Sequence, residues 1–254
     1  LFRSLRGVRP LAAMAGAGLC LGLAVGSRPT CLLAGGMLLV PVWRAWRAAA
    51  PGREWWRLAL AAGMPLAICG LAIMAHNHAR FGNPLDWGQN YQLSGAYEGK
   101  LVHFAARFFP HNLSVYLFQP LLWSTEFPFV FAQAIEISHI KDYFGTEEVC
   151  GLAVTFPYVW FLLALPLAWR RREGPDARGL AAAVAGLALY VVPVGGLILS
   201  YLSTTMRYQT DYAVGLAVLA LVGLLALERF APAAGRGPAR VVVAAASVAA
   251  AVTV

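Results

Sequence analysis

The sequence predicts an all-α fold, a polytopic transmembrane helix bundle with a long extracytoplasmic loop that contains an interfacial amphipathic helix. Three observations predict it. Apolar residues make up 59% of the chain and charged residues only 13%, a balance that belongs to membrane proteins. The apolar residues come in runs close to the roughly 20 residues that a spanning helix needs. The basic excess, a formal net charge of +8, is concentrated as arginines in the short connectors between those runs. That is the positive-inside pattern, so the charge reads as topology and not as a nucleic-acid surface.

Taken in order, Arg3, Arg6 and Arg9 precede an apolar run at 11–25, and a second run covers 31–42. Gly26-Ser27-Arg28-Pro29-Thr30 separates them. Each arm is short of a full span, so 11–42 reads as a short helical hairpin with Arg28 at the turn. Pro29 supports the break, because it has no N–H to donate and restricts the residue before it. The connector that follows holds Arg44, Arg47, Arg53 and Arg57 among Trp43, Trp46, Trp55 and Trp56, a cytoplasmic loop with an aromatic belt. Further spans are expected at 58–75, 152–169, 180–200, 212–227 and 241–254, with Pro65 kinking the first. Arg170 to Arg172 and Arg178 mark the inside again, as do Arg229, Arg236 and Arg240. An odd number of crossings in the first hairpin would put the Arg44–Arg57 connector outside and break this alternation. Leu1 in place of Met and an apolar run that ends at Val254 read as a fragment of a longer protein, with 1–254 as a single membrane domain. No cleavable signal peptide is visible. Cys20, Cys31, Cys69 and Cys150 have no spacing that suggests zinc or a disulfide framework.

The region 76–151 is the extracytoplasmic loop, facing the periplasm or exterior. It contains all five histidines and most of the acidic residues. Gly82-Asn83-Pro84 signals a turn. Leu101, Phe104, Ala105 and Phe108 fall on one helical face, and Lys100, His103 and Arg107 on another. This predicts an amphipathic helix in the membrane interface that stops near Pro110. The aromatic stretch 113–131 contains Gln119, Pro120, Glu126 and Pro128 and reads as loop and short helix, not as a span. Asn112-Leu113-Ser114 is a glycosylation sequon.

Several residues are candidates for chemistry, each with a plainer reading beside it. Arg28, an ionisable residue in an apolar context, is expensive to place and a functional candidate. It either forks onto a lipid-linked phosphate or is a turn arginine that snorkels to headgroups. Arg207 is a second phosphate candidate. Asp211, four residues on, either orients it or sits in a structural pair at a helix start. Asp86 and Glu98 could each act as a general base toward an acceptor hydroxyl; most loop carboxylates are only solvated. Arg80 lies beside His76 and His78, whose spacing suits a loop metal site but lacks a completing ligand, so no metal site is assigned. His103 belongs to the basic stripe that meets anionic headgroups or a pyrophosphate. No Walker motif, G-x-G-x-x-G, G-x-S-x-G or H-E-x-x-H is present.

The run from Gly22 to Thr30, G-L-A-V-G-S-R-P-T, is similar to the G-L-A-x-x-x-R-P stretch of many bacterial GT-C glycosyltransferases. These are akin to the dolichyl-phosphate-mannose protein mannosyltransferases and to the aminoarabinose transferase of lipid A. Ala79-Arg80-Phe81-Gly82-Asn83-Pro84 with Gly88 and Tyr91, then Phe127-Pro128-Phe129, then Arg207-Tyr208 with Asp211, also resemble members of that group. The resemblance implies a transferase of the bacterial cytoplasmic membrane that takes a sugar from a polyprenyl-phosphate donor on the extracytoplasmic side, with inversion at the anomeric carbon. Membrane lipid and that donor would be its partners. It implies Arg28 and Arg207 as donor-phosphate ligands. It also implies a catalytic carboxylate in a first outer loop that would lie upstream of Leu1, so the isolated chain is expected to be inactive. Some members use a divalent metal. Two alternatives belong to other classes. A transporter or flippase-like protein would carry ionisable residues deep in several spans. A non-catalytic membrane scaffold would need no site at all.

Overall fold

The computed structural model describes residues 2–5, 7, 9–48, 55–88, 91, 102–127, 129–132, 140–170 and 174–230. The expected span at 241–254, Glu98 and Lys100 lie outside the described residues.

Helices dominate. In chain order they are α1 (Phe2–Leu5), α2 (Pro10–Ser27), a 3-10 helix at Pro29–Gly35, α3 (Gly36–Arg47), α4 (Trp55–Phe81), a 3-10 helix at Ala106–Phe108, α5 (Phe109–Phe118), α6 (Leu152–Thr155), a 3-10 helix at Pro157–Trp169, α7 (Gly174–Leu199) and α8 (Met206–Phe230). The strands are two residues each: β1 (Leu122–Trp123) and β2 (Val130–Phe131) form a hairpin, and β3 (Gly145–Thr146) pairs in parallel with β4 (Ser203–Thr204). Among the described residues, four helical segments, Pro10–Ser27, Trp55–Phe81, Ala177–Leu199 and Met206–Arg229, are long and apolar enough to cross a membrane. Along α4, Met64, Ile68 and Leu71 expose 60%, 61% and 65% of their surface. So many large apolar side chains turned outward fit a hydrocarbon solvent, where the backbone of a spanning segment must satisfy itself within the helix. The chain is an integral membrane protein.

The chain divides into two units, Leu1–Leu101 with Arg178–Val194, and Val102–Ala177 with Gly195–Val254. In the first, α2 lies on α4 with almost no space between the backbones. A Cβ on Gly18 would collide with the Ala62 carbonyl, one on Gly22 would come within 2.6 Å of Cys69, and one on Gly26 would meet Ile73 at 3.5 Å. The contacts advance together along both helices, so α2 and α4 run parallel. Small residues four apart are a familiar seam between membrane helices. A parallel pair requires the intervening chain to travel back. The 3-10 helix and α3 together cover about 32 Å, by their rises of ~2.0 and ~1.5 Å per residue, close to the ~30 Å of a hydrocarbon core. The first hairpin is therefore built from arms of nearly full length, longer than their apolar runs suggested, because α2 begins at Pro10 and α3 runs on through Arg44 to Arg47.

In the second unit, α8 packs against the 3-10 helix Pro157–Trp169. A side chain at Gly223 would strike the Phe161 carbonyl. The Gln209 amide near the start of α8 reaches the Cys150 carbonyl, so these two segments also run parallel. The expected helix at 152–169 is broken at Phe156 by Pro157. Its 3-10 portion covers about 26 Å at the ~2.0 Å rise of that form.

The amphipathic helix expected over 101–108 is absent from 102–105. Val102 to Ala105 are extended, Phe104 bridges Tyr201, and Ala105 N–H donates to the Ser200 carbonyl at 2.8 Å. Helical structure starts at Ala106 and continues through Pro110, the residue expected to stop it. Proline is tolerated in a first helical turn, where its missing N–H would lack a partner anyway.

Candidate functional site

Each unit presents one cluster of the residues singled out from the sequence. In the first unit it lies where α2 and α4 end. Arg28 is extended (φ −144°, ψ 110°), half-buried, and stands between α2 and the 3-10 helix. Its N–H closes α2 on the Ala24 carbonyl at 2.8 Å, and its carbonyl receives the Cys31 N–H at 3.0 Å. The parallel register that sets Gly26 against Ile73 brings Arg28 to the end of the unit formed by the last turns of α4. Those turns carry His76, Asn77, His78 and Arg80, which are helical and not part of a loop. The helix ends only at Gly82, whose φ of 73° provides the left-handed exit that a Cβ would disfavour. His78 Nδ1 lies 3.1 Å from the Gly82 carbonyl, and the Arg80 guanidinium lies over the Phe81 ring at 5.0 Å. Beyond it two side chains organise the turn. Asn83 Oδ1 accepts from Leu85 N–H at 2.9 Å, and Asp86 Oδ1 accepts from Gly88 N–H at 2.8 Å. Gly88 has a φ of 78° and sits under Phe81, where a Cβ would come within 2.7 Å of the ring. Asp86 is thus fixed in place, with one oxygen engaged by the backbone.

In the second unit the cluster is built around Asn112, which is fully buried on α5. Its Nδ2 donates to the Leu199 and Tyr201 carbonyls at 3.0 and 2.7 Å, and its Oδ1 accepts from the Tyr143 hydroxyl at 2.6 Å. The amide is fully engaged, so Asn112 is not an accessible glycosylation acceptor in the folded chain. Tyr116 Oη accepts from Thr205 N–H at 3.0 Å, and the Gln209 amide donates to the Tyr116 and Cys150 carbonyls at 3.2 and 2.7 Å. Burial pushes the Tyr143 phenol up to about 12, against the opposing hydrogen bond with Thr204. Burial raises Tyr116 further, the Thr205 backbone opposing. Burial, then the nearby Glu148 charge, raises the Cys150 thiol.

Around this buried frame lie the charged groups. Arg107 pairs with Asp142 at 2.7 Å, and Arg207 pairs with Glu147 at 3.1 Å. Arg207 belongs to the first turn of α8, not to a connecting turn. The Arg207–Glu147 side chains are 62% and 57% exposed. Such a pair contributes about 0–1 kcal/mol, so a phosphate that offers several oxygens to the guanidinium can displace the carboxylate. Asp211 is buried, as are the His103 Nε2, Thr205 Oγ1 and Tyr212 hydroxyl, three atoms without a hydrogen-bond partner. Among the described residues no group of three or more His, Cys, Asp or Glu could hold a metal.

The structure therefore places Arg28, Arg80 and Asp86 in the first unit, and His103, Arg207 and Asp211 in the second. Sequence reasoning met Asn112 only as a glycosylation sequon and passed over Tyr116, Tyr143 and Gln209. The available signal was an amide and a phenol, Asn112 and Tyr116, set in a largely apolar stretch, since buried polar groups need partners; Tyr143 and Gln209 lie among polar residues and gave no such signal. No family model, no curated protein and no solved structure matches this chain.

Proposed function

We propose that the chain is part of an integral membrane glycosyltransferase that moves a sugar from a polyprenyl-phosphate donor to an acceptor on the extracytoplasmic side. One observation carries this reading. Arg28 is the single charged residue between Pro10 and Trp43. It stands in an extended break at the end of the unit where Arg80 and the fixed Asp86 carboxylate lie. A guanidinium at the end of a spanning helix is suited to a phosphate at the lipid–water boundary. Asp86, with Oδ2 left for an acceptor hydroxyl, is suited to proton abstraction. In the second unit, Arg207 is a phosphate ligand in its own right once Glu147 is displaced.

A scaffold reading has its own support in the Arg207–Glu147 pair, which gives Arg207 a structural partner. Polyprenyl-phosphate binding by the chain in nanodiscs separates the two. Arg28→Ala should weaken binding about tenfold, as loss of a charge-assisted contact worth ~1.5 kcal/mol predicts. Arg207→Ala should weaken it less, and Glu147→Gln should strengthen it. Binding that none of the three variants alters would favour the scaffold.

A further inference from the structure

The arginine-rich end of the first unit holds a cleft of about 380 Å³, at the opposite end of α2 and α4 from Arg28. It is formed where α1, the start of α2, the last turns of α3 and the start of α4 meet. Ser4, Arg44 and Arg57 line it together with Leu11, Trp55 and Leu58. Two of these residues carry a polar atom in an unusual state. Ser4 Oγ and Arg44 Nη1 are both shielded from solvent, and neither has a hydrogen-bond partner among the described residues. Buried donors left unmade are costly, about 1–3 kcal/mol and more when charged. Two of them on one cleft, a hydroxyl and a guanidinium nitrogen, call for an acceptor with several negatively charged oxygens. The exposed Arg57 adds a second positive charge, stacked over Trp56 at 5.4 Å. The remaining walls are apolar. Trp43, Trp46, Trp55 and Trp56, all substantially exposed, form the aromatic girdle that marks a membrane–water interface.

We infer that this cleft binds a phosphate group, with Arg44 Nη1 and Ser4 Oγ as its inner donors and Arg57 as its outer charge. The site is separate from the donor-phosphate site proposed above and does not depend on it. The same phosphate chemistry can come from a phospholipid headgroup, whose acyl chains would follow the apolar wall, or from free phosphate.

The chain, purified in neutral detergent and stripped of lipid, would be titrated with phosphatidylglycerol and with diacylglycerol, which has the same tails and no phosphate. Binding would be read by native mass spectrometry. Saturable uptake of phosphatidylglycerol but not diacylglycerol is expected. Arg44→Gln should weaken it about tenfold and Ser4→Ala about threefold, as charged and neutral hydrogen bonds differ. Arg57→Gln, at an exposed residue that does not threaten the fold, should weaken it severalfold. Excess inorganic phosphate assigns the source. Competition identifies free phosphate as the ligand, and its failure identifies the lipid headgroup. Equal uptake of both lipids, or affinity unchanged in Arg44→Gln and Arg57→Gln, overturns the proposal. Phosphatidylglycerol uptake that falls in Arg28→Ala and not in Arg44→Gln would place the phosphate at the other end of the unit and overturn the proposal.

Discussion

Both units press a glycine onto a partner's carbonyl, Gly18 on Ala62 and Gly223 on Phe161, but they differ in what else holds their segments. In the first, α2 and α4 meet through missing side chains, with Gly18, Gly22 and Gly26 letting backbone and side chain of the partner come close. In the second, a buried amide and two phenols tie distant segments together through hydrogen bonds. The first contact depends on shape alone and is repeated every four residues. The second depends on a few groups in exact complement, each reaching 31 to 89 residues along the chain. A seam of the first kind degrades by degrees; a network of the second kind fails as a unit.

The largest expected effect tests the network. Asn112→Leu leaves the Leu199 and Tyr201 carbonyls without their donor and the Tyr143 hydroxyl with only its longer bond to Thr204 Oγ1 at 3.4 Å. At about 1–3 kcal/mol for each orphaned buried group, the second unit should lose on the order of 3–5 kcal/mol. Thermal melts followed by tryptophan fluorescence in detergent would show it. A change of less than 1 kcal/mol would mean that the amide does not organise this unit.

The glycine seam predicts a graded series instead. Gly18→Ala drives a methyl into the Ala62 carbonyl and should cost about 1–3 kcal/mol, as overpacking does. Gly26→Ala places its methyl at ordinary contact distance from Ile73. It should be neutral or slightly stabilising, because alanine gains about 1 kcal/mol over glycine in a helix. Equal effects at the two positions would dismiss the parallel register.

The smallest effect is confined to high pH. Tyr143 has its folded value raised from 10.0 to about 12, so the folded state holds the phenolic proton more tightly than the unfolded state. Its contribution to stability is complete below pH 10 and is lost as pH rises through about 12. The melting temperature should fall across that window, and Tyr143→Phe should flatten the part of the slope that Tyr143 supplies. An unchanged slope in Tyr143→Phe would assign the alkaline loss to other tyrosines.

The helical membrane class was legible in the sequence because apolar runs and arginine clusters report solvent preference directly. Helix ends were not. The spans expected at 58–75 and 212–227 stop where charge begins, whereas α4 runs to Phe81 and α8 starts at Met206. Backbone hydrogen bonding continues past the hydrocarbon boundary until a residue such as Gly82 allows an exit. The amphipathic reading of 101–108 failed for a related reason. Phe104 and Phe108 have helical spacing, but the backbone at Phe104 finds its partner at Tyr201, 97 residues away, and no local periodicity can announce that. Arg28 was legible as an anomaly of charge. Glu147 was not legible as the partner of Arg207, since a loop carboxylate and a helix-start arginine 60 residues apart carry no shared pattern.

The parallel register of α2 and α4 has a consequence in time. Gly18 finds Ala62 only after the intervening chain has been made and turned back across the bilayer. At synthesis rates of about 5–20 residues per second, that interval is roughly 2–9 s. Throughout it α2 presents a notched, glycine-lined face with no mate. The order of synthesis therefore leaves the most closely fitting seam in the first unit open early, when a neighbouring nascent chain could seat its own helix there.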